Sequence, residues 1–209
     1  MRRPSSRTGA ALSTTAAGLA GAALWWRRHP SACPYGGHAI LDLPRPGLGI
    51  ASLLRALDPQ PGERMLEIGP GSGRYTLPVA AKLNPDGSIV ALDLQADMLA
   101  LIARRAVEYG AALPVETQLG DATALPFAAD SFDGAFLVTV LGEIPDREAV
   151  VRELARVVRP GGRIVLGEIL LDPHYVTRRT LARYATAAEL AIESIHGAPL
   201  AYYAVLRAT

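Results

Sequence analysis

The sequence predicts an α/β fold, a doubly wound and mostly parallel sheet with helices on its faces, and three observations carry that expectation. The run RMLEIGPGSGRYTLPVAAKL at residues 64–83 reads as a strand, a glycine-rich turn and a helix. Strand-like and helix-like segments then alternate as far as residue 169, the pattern of parallel strands joined by helical crossovers. Two β-rich runs, LAIESIHG and LAYYAVLR, separated by Gly197, Ala198 and Pro199, end the chain as a hairpin that adds an antiparallel edge.

Each element has a local reason. Pro34, Gly36, Gly37, Pro44, Pro46 and Gly47 mark an irregular stretch from about 30 to 47. Leu48, Ile50, Leu53, Leu54 and Leu57 then form a helical stripe that stops before Pro59. An alternating strand delivers Glu67 to the turn Gly69-Pro70-Gly71-Ser72-Gly73, where glycine at every second position opens the backbone to close approach. The stretch SIVALD ends the second strand on Asp93. Residues 95–108 place Met98, Leu99, Ile102 and Val107 at helical spacing, with Arg104 and Arg105 in the later turns, where cations suit the helix dipole. The segment VTRRTLARYATAAE reads as a further helix before the hairpin.

The glycine spacing separates two ligand classes. A dinucleotide fingerprint, G-x-G-x-x-G, needs a last glycine where this chain has Arg74. Glu67 sits two residues before Gly69, and a carboxylate there is ill-placed beside a pyrophosphate but suits an ammonium. The turn therefore favours an amino-acid-like ligand, against the bland reading of a tight turn with no ligand.

Taken with Asp93, these motifs resemble the first two of the class I S-adenosylmethionine-dependent methyltransferases of the small-molecule, methyltransferase-11 type. VETQLG and SFDGAFLV resemble that family's third and fourth strands, GDATALPF the loop between them, and ELARVVRPGGRIVLGE the helix, Pro-Gly-Gly turn and fifth strand. The likeness covers residues 62–169 and implies a Rossmann-like, seven-stranded, mostly parallel sheet with an antiparallel C-terminal edge hairpin. It implies S-adenosylmethionine as cofactor. Glu67, Gly69, Gly71 and Gly73 then shape the methionine end, Asp93 holds the ribose hydroxyls and Asp121 meets the adenine amine. Leu94 and Met98 cover the adenine face, Ala122 gives a backbone contact, and Thr139 joins from the end of strand four.

The implied chemistry is an in-line displacement at a sulfonium methyl, to which the protein contributes orientation and exclusion of water. Glu143, in FLVTVLGEIPD after the fourth strand, is the acidic residue best placed to act on an acceptor. Many relatives carry histidine in this loop, so Gly142 and Glu143 depart from the pattern and a histidine mechanism does not transfer. Three roles stay open for Glu143: base, anchor for a cationic acceptor, or helix cap. Two other function classes are carried alongside, a catalytically silent cofactor-binding or interaction protein and a nicotinamide-dependent oxidoreductase.

Length and composition fit one domain. The chain has 209 residues, half of them apolar, and a formal charge of +1, which gives no electrostatic case for nucleic acid. Arg104, Arg105, Arg178 and Arg179 read as solvated helix faces. Cys33 is the one cysteine, and His29, His38, His174 and His196 lack ligand spacing, so no metal is expected. Residues 8–26 carry no charge and lie between Arg2, Arg3, Arg7 and Arg27, Arg28; their Ala, Gly, Ser and Thr content makes insertion in a bilayer marginal. Trp25 and Trp26 beside a basic pair suit a membrane interface, whereas a packed helix or a disordered leader are the alternatives. The division expected is a leader at 1–28, a connector with lid and first helix at 29–61, and the cofactor-binding domain at 62–209, in a cytoplasmic protein associated at most with the cytoplasmic membrane face. No long insertion separates strands five and six, so a lid comes mainly from the N-terminal segment, with Tyr35 and His38 as candidates. The partner expected is a small-molecule methyl acceptor, whose identity the sequence leaves open, as it does the oligomeric state.

Overall fold

The computed structural model of the chain describes residues 30–109 and 113–208. A 3-10 turn at Tyr35–Gly37 leads into the short α1 (His38–Leu41) and α2 (Ile50–Leu57), so the proline-rich stretch is locally ordered. There follow β1 (Arg64–Ile68), α3 (Thr76–Leu83), β2 (Ser88–Asp93), α4 (Ala96–Glu108), β3 (Val115–Leu119) and β4 (Phe132–Val138). A second 3-10 turn at Leu141–Glu143 precedes α5 (Arg147–Val157), β5 (Val158–Ile169), α6 (Arg178–Ala187), β6 (Ala191–Ala198) and β7 (Ala201–Arg207).

The strands form one seven-stranded sheet in the order β3-β2-β1-β4-β5-β7-β6. β1 to β5 pair in parallel, and β7 runs antiparallel to both β5 and β6. The strand order reverses between β1 and β4, the switch point at which such sheets open a crevice beyond their carboxyl ends. The Pro-Gly-Gly turn falls within the β5 bounds, and the register to β4 jumps there from Phe132↔Val158 to Gly134↔Arg163.

Both faces of the sheet are buried at its central strands, whereas the edge strands β3 and β6 are largely exposed. Leu66, Leu92, Leu137, Ile164 and Tyr202 pack under Val150 and Leu154 of α5 and Leu181 of α6. Met65, Ile89, Phe136, Val165 and Tyr203 pack under Leu53 and Leu57 of α2 and Val79 and Leu83 of α3. Asp146 caps α5 by accepting from the Ala149 amide at 2.9 Å, and Thr177 caps α6 by accepting from Thr180 at 3.1 Å.

Three sequence expectations need correction. β1 does not alternate: Met65 to Ile68 are all buried, because a central parallel strand has helices over both faces. Val107 is 81 % exposed and lies off the buried stripe of α4, which is Met98, Leu99, Leu101 and Ile102. The hairpin turn is Pro199-Leu200, since Gly197 and Ala198 still pair with Tyr202 and Ala201. The uncharged stretch 8–26 lies outside the described residues. Among the described residues no helix is long and apolar enough to cross a membrane.

Candidate functional site

A cavity of about 430 Å³ opens at the switch point, over the carboxyl ends of β1, β2 and β4, within the size range of small-molecule sites. Glu67, Gly69, Gly71, Asp93, Leu94, Met98, Asp121, Ala122, Thr139 and Glu143 all line it. Gly73 does not. A Cβ there would make ordinary contacts with Ile102 at 3.4 Å and Leu77 at 3.8 Å, so what calls for glycine is the φ of +82° that closes the turn.

The turn after β1 forms because the Gly69 amide donates to Leu92 O at 2.9 Å and the Gly73 amide to Pro70 O at 3.0 Å. Gly69 and Gly71 have φ of +62° and +54°, the left-handed region open to glycine at no steric cost. A Cβ on Gly69 would lie 2.6 Å from Val140, and one on Gly71 2.8 Å from the Leu41 side-chain tip. Val140 reaches Gly69 because Thr139 turns the chain at φ +58°, with its amide donating to Gly167 O at 2.7 Å. A non-glycine residue held in this region is strain that concentrates at functional sites.

Glu67 and Asp93 end neighbouring strands. Glu67 is buried, its Oε2 has no hydrogen-bond partner, and burial, reinforced by the Asp93 carboxylate, pushes its carboxyl up to about 8. The Thr76 side chain opposes that rise, but a buried carboxylate oxygen left without a partner is costly and is relieved by a cationic donor. Burial also raises the Asp93 carboxyl, against the pull of the Gln95 and Leu94 amides. Asp121 stands at the rim next to the end of β3, where the Gly120 amide donates to Asp93 O at 3.1 Å. Thr123 fixes it, with amide and hydroxyl both donating to Oδ1 at 2.8 Å. Met98 is buried beneath the same end of the cavity, whereas Leu94 is 60 % exposed at its edge.

The opposite wall is made of loops. Glu143 sits in the 3-10 turn after β4, and burial followed by the nearby Asp172 carboxylate pushes its carboxyl up to about 8, against the opposing pull of the Cys33 amide beside it. The glycine before it is required by packing: a Cβ on Gly142 would fall 1.9 Å from the His174 carbonyl oxygen. Arg147 ties the turn by donating to Gly142 O at 2.7 Å.

The segment before α2 closes the cavity through Pro30, Ser31, Ala32, Cys33, Leu41 and Arg45. Tyr35 and His38, the residues the sequence suggested for a lid, are not among the lining residues; their rings stack on each other with centroids 4.9 Å apart. The segment is tied down by Asp42, which pairs with Arg105 at 2.9 Å, accepts from the Ser72 hydroxyl at 2.6 Å, and offers its carbonyl to Arg74 at 2.6 Å. Arg105 is thus a clamp and not a solvated cation, and Arg178 likewise donates to Gly197 O at 3.1 Å and lies over the Tyr202 ring. Arg104 keeps only an exposed contact to Glu108 at 3.7 Å. Cys33, Asp42, Arg45, Gln95 and Asp172 escaped sequence reasoning, because no local pattern brings residues so far apart in the chain to one wall. Among the described residues no cluster of histidine, cysteine and carboxylate side chains is disposed to hold a metal ion.

Residues 66–166 match the family described as "Methyltransferase domain". Over 115 residues the chain is 36% identical to the 2-phytyl-1,4-naphtoquinone methyltransferase of Synechococcus elongatus, covering 55% of this chain and 48% of that protein. It is 37% identical over 114 residues to the nocamycin O-methyltransferase of Saccharothrix syringae, covering 54% of this chain and 40% of that one. The chain thus spans less than half the length of these two curated relatives. In fold it is similar to a SAM-dependent methyltransferase from Aquifex aeolicus, with a TM-score of 0.74 at 16% identity over 84% of this chain and 98% of the other.

Proposed function

We propose that the chain is a class I S-adenosylmethionine-dependent methyltransferase, in keeping with the methyltransferase-domain match over residues 66–166, and that it methylates a small-molecule acceptor held between the cofactor and Glu143. The observation that carries this reading is the buried carboxyl of Glu67 beside the glycine turn, whose Oε2 has no hydrogen-bond partner. It is suited to the ammonium of the methionine moiety, and the fit of the remaining residues follows. Gly69 and Gly71 leave room where side chains would fill the cavity, Asp93 would accept from the ribose hydroxyls, and Asp121 would accept from the adenine amine. Met98 and Leu94 would flank the ring, and Ala122 and Thr139 would complete the enclosure.

When bound, S-adenosylmethionine supplies a methyl group on a sulfonium leaving group, so the acceptor needs only a lone pair in line behind it. Glu143 has the part of proton acceptor for an O–H acceptor. Its carboxyl, pushed up to about 8, is matched to removing a weakly acidic proton near neutral pH. The loop wall from residues 30–45 excludes water from the transfer. The cofactor-binding unit is then 62–209 with 29–61 as connector and lid, and residues 1–28 act on membrane-face location or acceptor access.

The experiment is a transfer assay with methyl-labelled S-adenosylmethionine against quinols, phenols, alcohols and amines. Quinols and hydroxyl acceptors are tried first, in view of the names of the two curated relatives. Label appearing in an acceptor together with S-adenosylhomocysteine supports the reading. Cofactor binding without transfer to any class favours a silent binder instead.

A further inference from the structure

The residue that opens α4 stands where helices favour Ser, Thr, Asp or Asn, yet it is Gln95 and makes no side-chain cap. Its groups are used elsewhere. The backbone amide of Gln95 donates to Asp93 Oδ1 at 2.9 Å. Its side-chain Nε2 donates to the Cys33 carbonyl at 2.9 Å, and its Oε1 accepts from the Tyr35 amide at 3.1 Å. The Cys33 amide in turn lies beside the Glu143 carboxyl and opposes its upward shift. A chain of hydrogen bonds therefore runs from the acid at the end of β2, through Gln95, to residues 33 and 35 of the opposite wall, beside Glu143. A primary amide is what such a junction needs, since it offers a donor and an acceptor together.

We propose that Gln95 is a positioning residue that couples occupation of the Asp93 end of the cavity to closure of the wall carrying Cys33 and Glu143. The proposal rests on the reading of Asp93 as the ribose acid. A ligand that orders the corner between β2 and α4 fixes the Gln95 backbone and with it the amide that holds residues 33 and 35, so the wall closes at a smaller entropic cost. The second tie, Asp42 to Arg105, holds the chain after α1, whereas Gln95 holds residues 33 and 35.

Cys33 makes this measurable, because it is the only cysteine in the chain and is partly exposed in the wall. The rate of its alkylation by N-ethylmaleimide is followed in the full chain with and without saturating S-adenosylhomocysteine, saturation being set by calorimetry for each variant. Coupling predicts that the ligand slows alkylation of the wild type about fivefold or more. In Gln95→Ala this protection falls to about twofold or less at full ligand occupancy, while the melting transition persists. Gln95→Glu, which keeps the acceptor for Tyr35 but loses the donor to Cys33, falls between the two. Equal protection in wild type and Gln95→Ala would mean that the ligand merely shields the thiol, and would overturn the proposal, as would saturated wild type with no protection. Failure of S-adenosylhomocysteine to bind the wild type at all would instead overturn the cofactor reading, and the proposal with it.

Discussion

The two ends of the cavity are built by different means. At the cofactor end the acids stand on a hydrogen-bonded ladder: Glu67 is in register with Ala91 and Phe136, and Asp93 with Leu119. Their positions follow from the sheet and its two packed faces. At the acceptor end the wall comes from residues 30–45 and the turn at 141–143, backed by Asp172 and His174, and its ties are polar side chains on part-exposed loops. The Asp42–Arg105 pair is 40 and 29 % exposed, so it fixes geometry more than it adds stability. On the proposed assignment, cofactor chemistry resides in the part hardest to deform, and the part proposed to select an acceptor is the part most easily remodelled.

Substitutions that strike one end and spare the other test this division. The largest effect is expected for Gly71→Val. Its side chain would enter the cavity and meet the Leu41 tip, and the φ of +54° is strained for a β-branched residue. Calorimetry should show S-adenosylhomocysteine affinity falling by about 100-fold or more, while strain of about 1–3 kcal/mol lowers the melting temperature by no more than about 12 °C. Next is Glu143→Gln, which should lower kcat by about 100-fold with cofactor affinity held within about threefold. The pH dependence has a definite sign: the base must be ionised and its carboxyl is pushed up to about 8, so wild-type kcat should rise toward pH 8 and then level off. Glu143→Gln should lack that rise, and a rise that survives would assign it to another group.

The difference between the ends also explains what the sequence discloses. Glycine spacing, the apolar strand of β2 ending on Asp93, and the C-terminal hairpin are local patterns, and local patterns report the sheet and the cofactor end. Glu143 was legible because it follows a strand end directly. Its surroundings were not: Asp172 and Cys33 converge on it from opposite ends of the sequence, and the need for Gly142 arises from the His174 carbonyl. Tyr35 and His38 drew attention by residue type, but they stack on each other, and the smaller Ser31, Ala32 and Cys33 make the wall. Arg105 looked like a surface cation because its partner, Asp42, is 63 residues away. Val107 followed helical spacing yet faces solvent, since periodicity gives a stripe but not where its edge lies.

Smaller effects should come from outside the cavity. Glu168 does not line it, and burial pushes its carboxyl up to about 8. A raised carboxyl contributes fully below the ordinary glutamate range near 4.5 and loses that contribution as pH rises through about 8. The wild-type melting temperature should therefore fall across that window by a few degrees more than that of Glu168→Gln; parallel curves would show that Glu168 ionises without cost. The smallest effect is expected on removing residues 1–28. A chain beginning at His29 should keep S-adenosylhomocysteine affinity within about threefold, with changes confined to vesicle binding or to turnover of a bulky acceptor. Lost affinity would place that segment in the cofactor end.

The most direct test of the cofactor assignment is titration calorimetry of S-adenosylmethionine against the full chain and Asp93→Ala, with NAD as the control ligand. Losing charge-assisted hydrogen bonds worth about 1.5–3 kcal/mol should weaken binding by about tenfold or more, with the melting transition retained and no heat from NAD. Equal affinity in the two proteins, or binding of NAD in place of S-adenosylmethionine, would contradict the assignment of this cavity.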